Sequence, residues 1–267
     1  MLTGFGESRL LSVAGWTFAI VLIVFLVGPS LIVIPMSFSD ADFLQFPPEH
    51  LSLRWYGEFW GSIAWLQAAR TSFAVAVLTV LLSVPAGTLA AHGARRFPVK
   101  VRVAIGAMLL LPAIIPSILI AIGLFFLLAQ VGLVGSLAGL VLGHTALALP
   151  VVYIIMSAAF ADFDPNQERA AQSLGAGRLT IWRQVILPQI RGALVAAGLL
   201  AFVTSLDEVV VAMFISGGAN ATLPKVMFTA LRDKVDPTVA AISTMLIALA
   251  VGAVAALIRR GGGLRTG

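Results

Sequence analysis

Long apolar runs without charge alternate with short polar segments along the whole chain. A helix needs roughly 20 apolar residues to cross the hydrocarbon layer of a bilayer. By that criterion we predict six transmembrane helices, at about residues 12–36, 68–92, 103–128, 137–160, 192–215 and 237–258. The apolar stretch that holds the third and fourth of these is too long for one helix, so we place a reversal near residues 130–135. The pattern predicts an all-α membrane protein, with a single transmembrane domain over residues 1–267.

The composition supports this class. Of the 267 residues, 60% are hydrophobic and only 11% are charged, whereas about a quarter of a soluble domain is charged. The formal net charge of +5 comes from basic residues beside apolar runs, which is typical of membrane orientation and not of a nucleic-acid surface. The chain has no cysteine, so disulfides and thiolate metal sites are excluded.

The basic residues alternate between the loops. They concentrate between predicted spans two and three, between four and five, and after span six: Arg95, Arg96, Lys100, Arg102, Arg169, Arg178, Arg183, Arg191, Arg259, Arg260 and Arg265. The loop after the first span is instead acidic. The positive-inside rule then predicts that both termini are cytoplasmic. The length of the first apolar run, without a small-residue cleavage site, favours a retained helix over a signal peptide.

One polar stretch separates predicted spans four and five. It reads ERAAQSLGAGRLTIWRQVILP, from Glu168 to Pro188. Asp164 and Pro165 are suited to the N-cap and first position of a short helix, and Gly175 is suited to its C-terminal turn. A second amphipathic segment follows, and we predict that Pro188 ends it. The pattern alone leaves open an interfacial helix that only anchors the loop.

Seven positions in this stretch resemble the EAA loop of ABC importer permeases in identity and spacing: Glu168, Ala170, Ala171, Gly175, Val185, Leu187 and Pro188. Val185 stands where isoleucine is usual. The resemblance extends to Ser37–Trp60 and to Ser205–Arg232, which look like segments of spermidine/putrescine-type permeases, most closely the second permease of such systems. It implies a type I importer fold and a cytoplasmic coupling loop at residues 164–188.

The resemblance also implies partners. These are a second permease subunit in a heterodimer, two cytoplasmic ATPase subunits and a periplasmic substrate-binding protein, in the inner membrane of a bacterium. No lysine follows a glycine, so the chain lacks the phosphate-binding motif G-x-x-x-x-G-K-[ST]. ATP and Mg²⁺ are therefore expected on the partner ATPase, with no cofactor, metal or catalytic residue in this chain.

Two adjacent carboxylates, Asp207 and Glu208, lie within predicted span five. A charged residue at the centre of a membrane helix costs roughly 2.5–3.5 kcal/mol on insertion scales, so such residues often mark substrate paths. On a continuous helix Thr204 shares a face with Asp207, and Ser205 shares one with Glu208. We predict that these four residues line a path for a cationic amine. The alternative is that a carboxylate caps backbone amides or pairs across a subunit interface.

Three other features leave alternatives open. Pro112 and Pro116 predict a kink in span three, either near the cavity or as static packing. His144 in span four is more simply a hydrogen-bonded packing residue than a substrate contact. Arg95 and Arg96 are most simply orientation charges.

Different functional classes remain as alternatives. An importer of an anionic or zwitterionic compound, such as 4-aminobutyrate or an aminophosphonate, fits the same family resemblance. An ion-driven secondary transporter accounts for the two carboxylates but gives the polar stretch no role. A membrane enzyme is disfavoured because the three histidines are far apart in sequence and no G-x-S-x-G turn is present.

Overall fold

The computed structural model describes the backbone of residues 9–262 and the side chains of residues 12–252 and 255. In that part of the chain the regular elements are helices, as predicted. They are α1 Arg9–Met36, α2 Arg54–Gly61, α3 Ile63–Ala94, α4 Val99–Ile114, α5 Ser117–Gln130, α6 Leu137–Ala161, α7 Pro165–Ser173, α8 Arg178–Ile181, α9 Leu187–Leu206, α10 Val210–Ile215, α11 Leu223–Lys234 and α12 Thr238–Gly262. A π-helical segment, Trp182–Ile186, joins α8 to α9.

Four helical stretches in the described residues are long and apolar enough to cross a membrane: Ser12–Met36, Ile63–Ala94, Leu137–Ala161 and Arg178–Leu206. Taken together, α4 and α5 are also long and apolar enough to cross a membrane. The described apolar part of α12, Thr238–Gly252, is shorter than these stretches. The all-helical membrane class is thus confirmed, whereas the count of six spans stays a prediction.

The third predicted span, 103–128, contains a sharp bend at the prolines that predict a kink. The axes of α4 and α5 differ by 102° across a short break. Ile115 is extended at φ −74° and ψ 136°, and Pro116 is the N-cap of α5. A proline disfavours the helical conformation of the residue before it, so Pro116 accounts for the break. Pro112 lies inside α4.

The chain divides into two compact units. One comprises Ala230–Ile258 together with the chain up to Ser62. In it, the Ser37 hydroxyl lies 2.8 Å from the Tyr56 hydroxyl, and Arg54 forms a 2.8 Å ion pair with Asp42. These contacts hold the acidic loop after α1.

The second unit, Ile63–Thr229, contains the central packing of α3, α6 and α9. The largest fully buried side chains of its main apolar cluster are Phe160, Met156 and Ile186. Close approach of α3 to α6 depends on Gly87, since a Cβ there would lie 2.6 Å from a methyl carbon of Val152. The α3–α6 contact is therefore built around a position with no side chain.

We expect Gly87→Ala to lower the melting temperature of the detergent-solubilised protein. The added methyl group overpacks a fully buried valine, and overpacking costs about 1–3 kcal/mol. Gly93→Ala, in the same helix but with no atom within 4 Å of the new Cβ, is the matched control. It should leave the melting temperature unchanged or raise it, because alanine favours helix over glycine by about 1 kcal/mol. Equal melting temperatures for the two variants would contradict the packing argument.

Candidate functional site

The coupling loop, residues 164–188, begins with a well-capped helix. The Asp164 side chain accepts a 2.9 Å hydrogen bond from the backbone N–H of Asn166. Pro165 occupies the first helical position of α7, where a missing N–H leaves no hydrogen bond broken. Both features agree with the sequence prediction, because capping is decided within one turn of the chain.

The turn after α7 is a Schellman motif centred on Gly175. This residue has φ +82°, in the left-handed region that glycine adopts without a steric penalty. Its N–H donates to the carbonyl of Gln172 at 2.9 Å, and the N–H of Ala176 donates to the carbonyl of Ala171 at 3.0 Å. These two bonds satisfy carbonyls at the C-terminal end of α7.

Beyond the turn, the structure corrects one boundary. Pro188 does not end a helix, because α8, the π-helical segment and α9 form one stretch of 29 residues, Arg178–Leu206. In the π-helical segment the N–H of Leu187 donates to the carbonyl of Trp182, five residues earlier. A π-bulge of this kind shifts the hydrogen-bond register. It ends two residues before Pro188, which has no N–H to donate.

The Gln189 side chain ties this long helix to α7. Its Nε2 donates to the carbonyl of Val185 at 2.8 Å and to Oε1 of Gln167 at 2.6 Å. The two halves of the coupling loop are thus joined by side chains as well as by the glycine turn.

Glu168 points toward the end of α3, with only 13% of its side chain exposed. Its Oε1 lies 3.8 Å from Nδ1 of His92, and its Oε2 lies 3.8 Å from a terminal nitrogen of Arg96. The His92 ring in turn packs against Phe160 and Trp182, with ring centroids 5.1 and 4.9 Å away. The carboxylate therefore lies in the contact between α7 and the end of a long apolar helix.

The coupling loop exposes two leucines among mostly polar residues. Ala171 and Ala176 pack on the buried cluster of the unit, but Ala170 is exposed. Leu174 and Leu179 expose 88% and 66% of their surface. The two leucines lie on either side of the glycine turn.

A cavity of about 1120 Å³ lies between the coupling loop and the ends of α3, α4 and α6. We call it the basic cavity. Its lining includes five arginines and a single carboxylate, that of Glu168. The arginines are Arg95, Arg96, Arg102, Arg169 and Arg178.

The two carboxylates at the far end of the long helix have different surroundings. The helix ends at Leu206, so Asp207 and Glu208 lie in a break before α10 and not on a continuous helix face. A carboxylate oxygen of Glu208 accepts a 2.8 Å hydrogen bond from the N–H of Val211, which caps α10. Asp207 is exposed, and its side chain has no hydrogen bond or ion pair among the residues the structure describes.

Because the helix ends at Leu206, the helix faces predicted for Asp207 and Glu208 change as well. The pairing of Thr204 with Asp207 and of Ser205 with Glu208 assumed unbroken helical periodicity. Instead Ser205, only 3% exposed, lies with its hydroxyl 2.8 Å from Nδ1 of His144. This contact joins α9 to α6 and agrees with the packing role predicted for the histidine. Thr204 is half-buried.

The loop after α10 is fastened at several points within its unit. The Asn220 side chain donates to the carbonyl of Gly135 at 2.8 Å, and Gln67 donates to the carbonyl of Ala219 at 2.9 Å. Lys225 donates to the carbonyl of Ser216 at 2.7 Å, at the C-terminal end of α10. The break that contains Asp207 therefore lies between a long helix and a firmly held segment.

Sequence reasoning did not predict which side chains surround the Glu168 carboxylate. It assigned Arg96 to membrane orientation and gave neither His92 nor Trp182 a role at this site. No local pattern could pair Glu168 with His92 and Arg96, because these two residues lie at the end of α3, far earlier in the chain, and meet Glu168 only when α3 packs beside the coupling loop.

Comparisons with known proteins agree with this architecture. Residues 83–261 match the family described as binding-protein-dependent transport system inner membrane component. The spermidine/putrescine transport system permease protein PotC of Haemophilus influenzae is 32% identical over 237 residues, which cover 89% of this chain and 92% of that protein. The putrescine transport system permease protein PotI of Escherichia coli K12 is 30% identical over 249 residues, covering 90% and 88%.

A solved structure shows the same fold at low identity. The bacterial alginate ABC transporter in complex with a periplasmic protein bound to an alginate pentasaccharide contains a chain with a TM-score of 0.71 and 15% identity. The match covers 96% of this chain and 94% of that one. The fold is therefore that of an ABC importer permease. The chain belongs to the family of binding-protein-dependent transport system inner membrane components.

Proposed function

We propose that this protein is one of two permease subunits of an ATP-driven importer for polyamines or closely related amines. The observation that carries the proposal is the continuous helix Arg178–Leu206. One end of it begins at the coupling loop and the other ends at Asp207. At about 1.5 Å per residue the helix is roughly 43 Å long, so it can transmit a displacement across the membrane.

The coupling loop is the proposed contact with a separate ATPase subunit. Leu174 and Leu179 supply its apolar surface, and Glu168 fixes the loop to α3 through Arg96 and His92. Closure of two ATPase subunits around ATP and Mg²⁺ would draw the loop along with them. Because the loop contacts α3 and is hydrogen-bonded to the long helix, the helices would move with it.

Asp207 is the proposed substrate contact. Its carboxylate is exposed and uncommitted among the described residues, whereas that of Glu208 serves as a helix cap. A carboxylate in a poorly hydrated path pairs well with a protonated amine. The names of the related permeases, which refer to spermidine and putrescine, support the same substrate class.

The rest of the assembly follows from the family. A second permease subunit would complete the path, and a periplasmic binding protein would deliver the substrate and set the affinity. With basic loops on the cytoplasmic side, both termini and the coupling loop lie in the cytoplasm of a bacterium. No nucleotide site is proposed in this chain.

The test is substrate-dependent ATPase activity of the complete importer in lipid nanodiscs. The binding protein would be added with putrescine, spermidine, 4-aminobutyrate or 2-aminoethylphosphonate in turn. Stimulation by the two polyamines alone is the expected result. Stimulation by the phosphonate alone would agree with an importer but would refute a polyamine substrate. ATPase activity that does not depend on the binding protein would refute the importer mechanism.

A further inference from the structure

The basic cavity brings the positive charges of several basic segments together in one space. Five arginines face one carboxylate in its lining. Such an excess in a partly enclosed space concentrates anions, because low-dielectric walls focus the field. Neither the coupling function nor a cationic substrate gives a reason for it.

The five arginines are not equivalent. Arg95 donates to the carbonyl of Phe163 at 3.0 Å and lies over the Phe160 and Phe163 rings. Arg96 is paired with Glu168 at 3.8 Å, and Arg169 reaches the side chain of Asn166 at 3.5 Å.

Arg102 and Arg178 differ from these three. Within the part of the chain that the structure describes, neither guanidinium group has an ion pair or a hydrogen bond. Two uncommitted guanidinium groups thus line the same cavity, one from α4 and one from α8.

The position of Arg102 indicates a membrane boundary. It lies in the first turn of α4 between apolar residues that are exposed. Val99, Val101 and Val103 are 62%, 42% and 62% exposed. An arginine in the first turn of an apolar helix places its charge at the level of lipid headgroups.

The lining also contains two hydroxyl groups. Tyr153 and Ser157, one turn apart on α6, both line the cavity. Hydroxyl and guanidinium donors together are well suited to phosphate oxygens, and guanidinium groups bind phosphate through two parallel hydrogen bonds. The volume of about 1120 Å³ exceeds the need of a single phosphate ion and leaves space for a larger phosphate-bearing group.

We propose that the basic cavity is a binding site for a phosphate-bearing anion, with Arg102 and Arg178 as its principal contacts. The headgroup of an anionic phospholipid and a soluble phosphate compound share this chemistry. Basic cavities between membrane helices on the cytoplasmic side are suited to such headgroups. A bound anion would neutralise the arginines between α4 and the start of the long helix, and so stabilise the coupling loop against the helices.

The experiment uses the assembled importer in detergent after lipid removal. Binding of short-chain phosphatidylglycerol and of inorganic phosphate is measured separately by isothermal titration calorimetry. The variant Arg102→Gln/Arg178→Gln removes both uncommitted guanidinium groups. The matched control is Lys100→Gln, which removes one positive charge from the same turn of α4 but lies outside the cavity lining.

At least one probe should bind the wild-type complex, and the double variant should weaken that binding at least tenfold. Lys100→Gln should change it less than twofold. Arg102→Gln alone, which keeps more of the charge, should weaken it about threefold. Binding of phosphatidylglycerol alone identifies a lipid site, and binding of phosphate identifies a soluble anion.

Two results would overturn the proposal. The first is that neither probe binds the wild-type complex. The second is that Lys100→Gln weakens binding as much as the cavity variants do.

Discussion

Replacing Gly175 by valine is expected to abolish coupling between ATP hydrolysis and transport. Gly175 has φ +82°, and a residue with a Cβ pays about 1–2 kcal/mol in this conformation, more when it is β-branched. The Schellman turn would then open, and α7 would lose its fixed position beside α8. We expect stimulation of ATPase activity by the loaded binding protein to fall at least tenfold, together with uptake into proteoliposomes.

The control for this prediction is Gly177. No atom lies within 4 Å of a Cβ built at either Gly175 or Gly177, so steric crowding is the same. Gly177 is extended at φ −69° and ψ 159°, which any residue adopts. Gly177→Val should therefore retain coupling, and Gly175→Asn should retain part of it because asparagine tolerates the left-handed region. Full coupling in Gly175→Val would show that the turn has no mechanical role.

Replacing Asp207 by asparagine is expected to lower amine transport at least tenfold. The change preserves the size of the side chain and removes the charge, so the loss measures charge pairing with the substrate. A tenfold loss corresponds to about 1.4 kcal/mol, which is in the range of one charge-assisted hydrogen bond. Uptake of labelled putrescine by proteoliposomes, with equal amounts of assembled complex, is the measurement.

The adjacent carboxylate provides the control. Glu208→Gln keeps an oxygen that can accept the N–H of Val211, so transport should change less than twofold. Glu208→Ala removes the cap of α10 and should lower stability by about 0.5–2 kcal/mol, with the preference among amines unchanged. Normal transport in Asp207→Asn would remove this residue from the substrate role, and a larger loss in Glu208→Gln would exchange the two assignments.

The long helix connects these two predictions. The coupling loop and Asp207 lie at opposite ends of Arg178–Leu206, so a movement at one end is carried to the other by a single rigid element. Near the Asp207 end, the hydrogen bond between Ser205 and His144 joins the helix to α6. Any displacement of the break at Asp207 must therefore move α6 as well or break this buried contact.

The sequence by itself determined the features that depend on neighbouring residues. The apolar runs define helices, because twenty or so apolar residues can bury their backbone only as a helix in lipid. Asp164 and Pro165 start α7, and Gly175 ends it, through hydrogen bonds that span one turn. The spacing from Glu168 to Pro188 also identified the family, since that spacing is read directly from the chain.

Only the tertiary structure decided which groups meet and which helices stay continuous. The chain turns at Ile115–Pro116, but the long helix continues through Pro188. Proline therefore breaks one helix and is accommodated in another. The contact of Glu168 with the end of α3 is visible only in the packed structure, because His92 and Arg96 come from a different part of the chain. Asp207 and Glu208 are chemically alike and adjacent, and local periodicity could not distinguish them. The break between α9 and α10 does, by using one carboxylate as a cap and leaving the other exposed.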